Sequence, residues 1–475
     1  MAYRASHIKK KKKLRVVVAV ICFVLLFAIA NGGMWLVYRN RVLPHYELGR
    51  KSIGNMTYTH LSSLQTTGIL PATIELTSGT AHITQAPSEL GLRVAMPATI
   101  QALRTSHTWF PLLNLVMHRQ APLVVTLQQT QLTQAIAQFG HSFTVPAQPD
   151  HIVLRNDQFV IQPSSTGRGI NVSALGAALA RIAQQGKTTL MVPEMTLTAS
   201  EHDSTLQDQV AQLNKALTIQ LGFSYGGKVI HPSKSDITGW YVASGVTMSP
   251  SDDRIATYIN HLATQLGTTS ANPADMAVAV NYVLGKNLPR TFNITPANGS
   301  QVRTYCTSVL DESDSYLNDL IGKLAATYND TRGWNNSGKI AFEHVTSGCQ
   351  YTVWISAASQ MTTFGSICDD YYNCQVGTNV ILNYDRWTTA TDPWNKTDGS
   401  LEDYRTLMID HETGHRLGFY DNPTCPAQGQ PAPVMMQQSI DLKGCVFNIW
   451  PLQSEFSALD SMLGLSTINT VTASE

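Results

Sequence analysis

His411-Glu412-Thr413-Gly414-His415-Arg416-Leu417-Gly418-Phe419-Tyr420-Asp421-Asn422 is the stretch in which the chain states its chemistry. The apolar spacing of Leu401, Tyr404, Leu407, Met408 and Leu417 predicts a helix over 401–417. On that helix His411 and His415 lie four residues apart and project from one face. Two imidazoles one turn apart can share one Zn2+, and Glu412 beside the first is placed to take a proton from water held there. Gly418 stands where the helix must stop, because glycine enters the left-handed region without a Cβ penalty. The chain can then return Asp421 as a third ligand, leaving the fourth position open to water. Asn422 is a weaker candidate for the same task. A bare His-Glu-x-x-His also arises by chance on a solvated helix face; the glycine and the ligand-type residue that follow it count against chance.

The rest of the chain frames that site. With 475 residues it exceeds one ordinary core, which predicts two to four domains. Formal net charge is zero and charged residues are 14%, well under the usual quarter, so nothing points to nucleic acid. Charge is concentrated at the start, where Arg4, Lys9 to Lys13 and Arg15 precede an uncharged run from Val16 to Tyr38. That run is long enough to cross a bilayer, and the positive-inside rule places residues 1–15 in the cytoplasm. A cleaved signal peptide is the alternative, since Ala28-Ile29-Ala30 has the small-x-small form of a cleavage site. The apolar stretch continues to Trp35 and Tyr38, aromatic residues suited to an interface, which favours an anchor at the cell membrane. Under either reading residues 45–475 are extracytoplasmic.

Cysteine usage agrees with export. Cys22 lies in the apolar run, and Cys306, Cys349, Cys368, Cys374, Cys425 and Cys445 all lie beyond residue 300. Six cysteines allow fifteen pairings. The pairing expected is Cys368 with Cys374 and Cys425 with Cys445, which leaves Cys306 for Cys349. No Cys-x-x-Cys pair supports a cysteine-ligated metal.

Between the membrane and residue 300 a weak repeat is visible. Gly91-Leu92-Arg93-Val94, Gly169-Ile170-Asn171-Val172 and Gly245-Val246-Thr247-Met248 are 78 and 76 residues apart. Short alternating segments precede each glycine, and amphipathic stretches follow at Ala98 to Leu103, Ala174 to Ile182 and Arg254 to Leu262. Arg155-Asn156-Asp157 reads as a hairpin turn. Each unit is therefore expected to be α+β, with modules over 45–205 and a third over 206–295. Phe159-Val160-Ile161-Gln162-Pro163 followed by Ser164-Ser165-Thr166-Gly167-Arg168-Gly169-Ile170 resembles the peptidoglycan-binding domain found beside vancomycin-resistance W-type proteins and some L,D-transpeptidases. That resemblance implies a wall-binding role; a plain spacer is the other reading. Thr295-Pro296-Ala297-Asn298-Gly299-Ser300 is a turn cluster and marks the start of the last domain, 300–475.

In that domain Leu317 to Tyr328 and Pro451 to Leu463 read as helices, the latter with Pro451 in its first turn, and Tyr351 to Ser356 and Thr378 to Asn383 as strands. His344, Asp385 and Asp410 read as surface or structural residues. The extended motif resembles the metzincin clan of zinc peptidases, and more closely its snapalysin-type members, which use aspartate as third ligand. Further landmarks, Asp330-Thr331-Arg332-Gly333-Trp334, Asn383-Tyr384-Asp385-Arg386-Trp387 and Ala432-Pro433-Val434-Met435-Met436-Gln437-Gln438, are similar to a poorly characterised family of exported bacterial domains. Most of that family carry histidine where this chain has Asp421. The resemblance implies His411, His415 and Asp421 as Zn2+ ligands, Glu412 as general base and Met435 as the methionine of the turn beneath the metal. Tyr420 is a candidate donor to a developing oxyanion. The fold class expected is α+β: a transmembrane helix, α+β modules and a metzincin-like domain. The function expected is peptide-bond hydrolysis by Glu412-activated water, with two alternatives: cleavage of peptidoglycan cross-links, or a wall-binding scaffold with a structural zinc.

Overall fold

A computed structural model describes residues 2–106, 117–199, 204–310 and 315–465. It is a mixed α+β chain that begins with one long helix, Ala2–Tyr38, whose segment Arg15–Tyr38 is apolar (mean hydropathy 2.6) and long enough to cross a membrane. Beyond it the chain divides into two compact units, residues 1–149 with 164–202, and residues 150–163 with 203–475.

The glycine repeat is present in the local structure. Gly91 and Gly245 have φ of +79° and +62°, each just before or beside a short strand (Leu92–Val94, Thr247–Pro250) that feeds a helix (Met96–Thr105, Asp252–Gln265). Gly169 lies within the strand Gly167–Ile170, which feeds the helix Val172–Gln184. The expected hairpin His151–Arg155 with Gln158–Gln162 turns through Asn156 and Asp157, both at positive φ. The second copy is nevertheless not a self-contained module. Its hairpin buries Ile152 and Phe159 in a core with Phe223, Trp240, Tyr241 and Ile255, in the second unit. Its helix buries Leu175 and Leu179 in the first unit, with Leu76, Leu92 and Leu132. Hydrophobic periodicity specifies which face is buried and says nothing about which neighbour buries it.

The second unit also joins residues 206–295 to the last domain. The two breaker-rich stretches pair with each other through Ala271 N–H to Thr295 O and Ala297 N–H to Thr269 O, so neither is a free linker. Buried amides cross the same junction: Asn272 donates to Asn329 Oδ1 at 3.0 Å and to the Phe342 carbonyl at 2.8 Å, and Asn293 donates to Asn335 Oδ1. In the last domain a five-stranded sheet has the order Ile340–His344, Gln301–Leu310, Tyr351–Ser356, Asn379–Asn383, Cys374–Val376; the first four are parallel and the edge strand Cys374–Val376 is antiparallel. The helices Ser315–Tyr328 and Leu401–Leu417 pack against it around Tyr305, Leu324, Trp334, Trp387 and Leu407. The closing helix runs Gln453–Leu463, so Pro451 precedes it and does not occupy its first turn. The three disulfides are Cys306–Cys349, Cys368–Cys374 and Cys425–Cys445, the expected pairing, and Cys22 is free.

The start of the motif helix is fixed by charge. Ser400 and Asp403 form a capping box. Glu402 in the first turn accepts from Lys323 Nζ at 3.0 Å, from Arg405 at 2.7 Å and from Tyr282 at 3.1 Å. Burial brings Lys323 down to about 8 against the pull of Glu402. The Lys323 side chain is 2% exposed and Glu402 is 23% exposed. Glu402→Ala would leave that ammonium buried without its counter-charge, which costs about 3–5 kcal/mol. The expected outcome is a fall of that order in chemical-denaturation stability; loss of less than about 1 kcal/mol would mean the pair behaves as a surface one.

Candidate active site

The helix Leu401–Leu417 ends at Gly418, whose φ of +118° and backbone N–H to Gly414 O make the left-handed stop expected of it. Four residues apart, the His411 and His415 rings meet edge to face with centroids 4.8 Å apart. Each ring is oriented by a backbone carbonyl: His411 Nδ1 to Val434 O at 2.9 Å and His415 Nδ1 to Phe419 O at 2.6 Å. A carbonyl can only accept, so Nδ1 carries a proton in both rings, and Nε2 is the nitrogen through which the neutral ring would ligate. This is the orientation by outer partners that metal-binding histidines require. Burial, followed by the neighbouring His415, brings His411 down to about 4, opposed by its bond to Val434, so the ring is neutral at pH 7.

Glu412 is 5% exposed and lines a cavity of about 280 Å3 with His411, Asp369, Tyr372, Met436 and Gln438. Burial alone pushes its carboxyl up to about 8. Asp369 and Tyr372 come from the loop closed by Cys368–Cys374, and Met436 and Gln438 from the turn after Met435. Met435 itself is 1% exposed and packs under the helix so closely that a Cβ on Gly414 would collide with its Sδ and approach Trp334 to 3.0 Å. Gly414, between the histidines, is thus required by packing.

The chain beyond Gly418 is placed differently from the expectation. Tyr420 is 86% exposed and lines a second cavity, not the one holding Glu412. Asp421 and Asn422 are exposed. Among the described residues no three His, Cys, Asp or Glu side chains gather at a metal-sized site, so Asp421 is not preformed as the partner of the two histidines. Spacing puts an aspartate within reach along the chain; the direction of the loop after the glycine is set by other contacts. The donor set therefore fits a metal in two oriented imidazoles and an adjacent carboxyl, and lacks a preformed third ligand.

Other residues the motif did not disclose complete the frame. Glu455 on the closing helix accepts from Val434 N–H at 3.1 Å, Met435 N–H at 3.0 Å and Leu452 N–H at 2.7 Å, holding the carbonyl that orients His411. Trp334 Nε1–H donates to the Asp410 carbonyl at 2.7 Å. Asp410 is fully buried with neither carboxyl oxygen hydrogen-bonded, and burial holds its carboxyl well above the usual range. The nearest sequence signal for Glu455 is its place three residues after Leu452, at the N3 position of a helix.

Comparison with known proteins gives two matches to family models. Residues 288–457 match a family model described as a protein of unknown function, DUF3152. Residues 72–190 match a family described as "Putative peptidoglycan binding domain". No curated protein matches. Two solved chains are similar over a small part: the avibactam carbamoyl form of the enzyme Ldtfm, and a mutant of the Enterococcus faecium L,D-transpeptidase. Each is 14% identical, covers 20% of this chain and 47% of its own length, and superposes with a TM-score of 0.18, a likeness that carries no argument.

The raised Glu412 carboxyl makes a stability prediction. An unfolded glutamate ionises near 4.3, so between there and about 8 the folded state holds a proton the unfolded state has released, and stability falls as pH rises. In metal-free protein Glu412→Gln is expected to gain stability over the wild type from about pH 4.5 upward, the gap growing to about pH 8 and then levelling. Urea denaturation at pH 5 and 8.5 checks this; a gap independent of pH would remove Glu412 as its source.

Proposed function

We propose that this chain is an exported, membrane-anchored and cell-wall-associated metal-dependent hydrolase of peptide bonds. The observation that carries the reading is Glu412: a buried carboxyl between two histidines whose Nε2 atoms are free, facing a cavity. The N-terminal apolar helix supports the anchor, and the similarity of residues 72–190 to a peptidoglycan-binding family supports a substrate within the wall. The metzincin-like spacing of the motif favours peptide bonds over other acyl groups.

His411 and His415 would hold the metal, and the exposed loop after Gly418 would bring Asp421 to it. Zn2+ bound there supplies Lewis acidity toward the scissile carbonyl and toward water. The chain's own residues do the rest. Neutral His411 offers its lone pair without first losing a proton. Glu412, whose ionised form a nearby dication favours, takes a proton from water and returns it to the leaving amine. The turn at Met435 and the Cys368–Cys374 loop wall the cavity where the peptide would lie.

Metal content of the full chain in detergent, measured beside His411→Ala, Asp421→Ala and Glu412→Gln, tests the assignment. About one zinc per chain is expected in the wild type and in Glu412→Gln, none in His411→Ala, and less in Asp421→Ala. Release of fragments from purified cell wall is expected to fall about 10²–10⁴-fold in Glu412→Gln. A Gln variant that cleaves at the wild-type rate sinks the mechanism. Cleavage of casein with intact wall would shift the substrate to general protein, and wall binding without cleavage of either would leave a scaffold.

A further inference from the structure

A cavity of about 210 Å3 in the second unit is built where three elements meet, and it shares no residue with the one holding Glu412. The helix Leu206–Ala216 gives it Gln209, Gln212 and Leu213, which recur at helical spacing on one face. The helix Pro273–Lys286 gives Asn281 and Leu284, and Asn287 caps that helix in the left-handed region with a φ of +54°. The hairpin Tyr241–Ser244 with Thr247–Pro250 closes the third side with Met248. Gln212 and Gly285 are exposed, so the cavity opens to solvent there.

Four carboxamides thus converge on one space, and among the described residues that line it none is charged. Gln209 Oε1 and Asn287 Oδ1 are buried and accept no hydrogen bond from the protein. Asn281 Nδ2 donates to Asp252 Oδ1 at 3.0 Å, which leaves its own Oδ1 as a further acceptor. A buried amide oxygen without a donor is costly, so two of them at one cavity call for donors from outside the fold. An ionic ligand would lose its hydration here with no opposite charge to compensate. What fits is a neutral molecule with several hydroxyl or amide donors on a compact frame, and an apolar face to lie on Leu213, Met248 and Leu284. A sugar ring has both: its neighbouring hydroxyls each give and accept, as the nitrogen and oxygen of a carboxamide do side by side. The volume lies below the about 300–1,000 Å3 of ordinary ligand pockets, which suits one ring and leaves no room for a run of peptide. We propose that this cavity binds a single neutral sugar unit, a site that lies outside residues 72–190 and does not depend on the hydrolase reading.

The experiment is calorimetric titration of the full chain in a detergent without a sugar headgroup. The probes are N-acetylglucosamine, glucose and, as a neutral peptide unit, N-acetyl-alanine methylamide. At least one sugar is expected to bind with a Kd on the order of 1 mM, and the methylamide at least about tenfold more weakly. Gln209→Leu and Asn287→Gly are each expected to weaken the sugar about tenfold with the melting temperature unchanged or higher. Each removes a buried group that the fold leaves unsatisfied, and glycine keeps the left-handed cap. A lower melting temperature with sugar affinity retained would make these amides structural and overturn the site. Gly285→Leu tests the same cavity by filling it. A Cβ there meets nothing within 4 Å and leucine is the better helix former, so binding is expected to disappear from a protein at least as stable. Sugar binding that survives all three substitutions lies elsewhere in the chain and overturns the proposal, as does binding of the methylamide alone or of no probe.

Discussion

The Nδ1–H of His411 donates to the carbonyl of Val434, and that carbonyl is where it is because Glu455 accepts the N–H groups of Val434, Met435 and Leu452. A carboxyl group 7% exposed has exchanged water for three backbone donors. Burial raises its pKa and these three bonds oppose that rise. The result is a closed circuit: the closing helix starts at Glu455's own hydrogen bond, the turn hangs from the same side chain, and the motif histidine hangs from the turn. Met435 then fills the space that the missing side chain of Gly414 leaves under the helix. Removing any one member frees the others to rotate, which is why the imidazole is aimed before any ligand arrives.

The other end of the motif helix is held by a different device, an ion-pair cluster. Glu402 receives Lys323 from the helix Ser315–Tyr328, Arg405 from its own helix and Tyr282 from the helix Pro273–Lys286. The last of these belongs to the segment that looked like a third wall module. Its helix, its Asn272 amide and its strand Arg290–Asn293, paired in parallel with Leu221–Ser224, make it part of the frame of the site. A helix anchored at both ends on rigid elements can keep its side chains within the tolerance that the proposed proton transfer would need.

Local features were legible in the sequence because they depend on nearby residues. The helix 401–417 followed from apolar spacing and Gly418, and the hairpin at Asn156-Asp157 from its turn residues. The parts that were not legible depend on distant partners. Nothing in the spacing of Glu455 shows that it faces Val434, 21 residues away in the chain. The repeat was visible as three glycines, yet the second copy divides its hairpin and helix between two cores, since any apolar face satisfies the pattern. Asp421 shows the same limit at the site itself. Ligand type and spacing along the chain made Asp421 an expected third ligand, while the structure leaves the side chain exposed and, among the described residues, outside any cluster of three.

Three carboxyls near the motif illustrate how one residue type takes different roles. Glu455 is buried and spends its acceptors on backbone N–H groups, which makes it structural. The Asp410 carboxyl is buried with neither oxygen hydrogen-bonded, and burial, followed by the charge of Asp330, holds it well above the usual carboxylate range. Glu412 is equally desolvated but opens on a cavity beside two free imidazole nitrogens. Only the last can change its charge when a cation arrives, and only the last has space in front of it for a substrate. Burial disfavours the charged form of this one carboxyl beside the cavity, and under the proposed function that same burial is what would keep the base unsolvated and reactive.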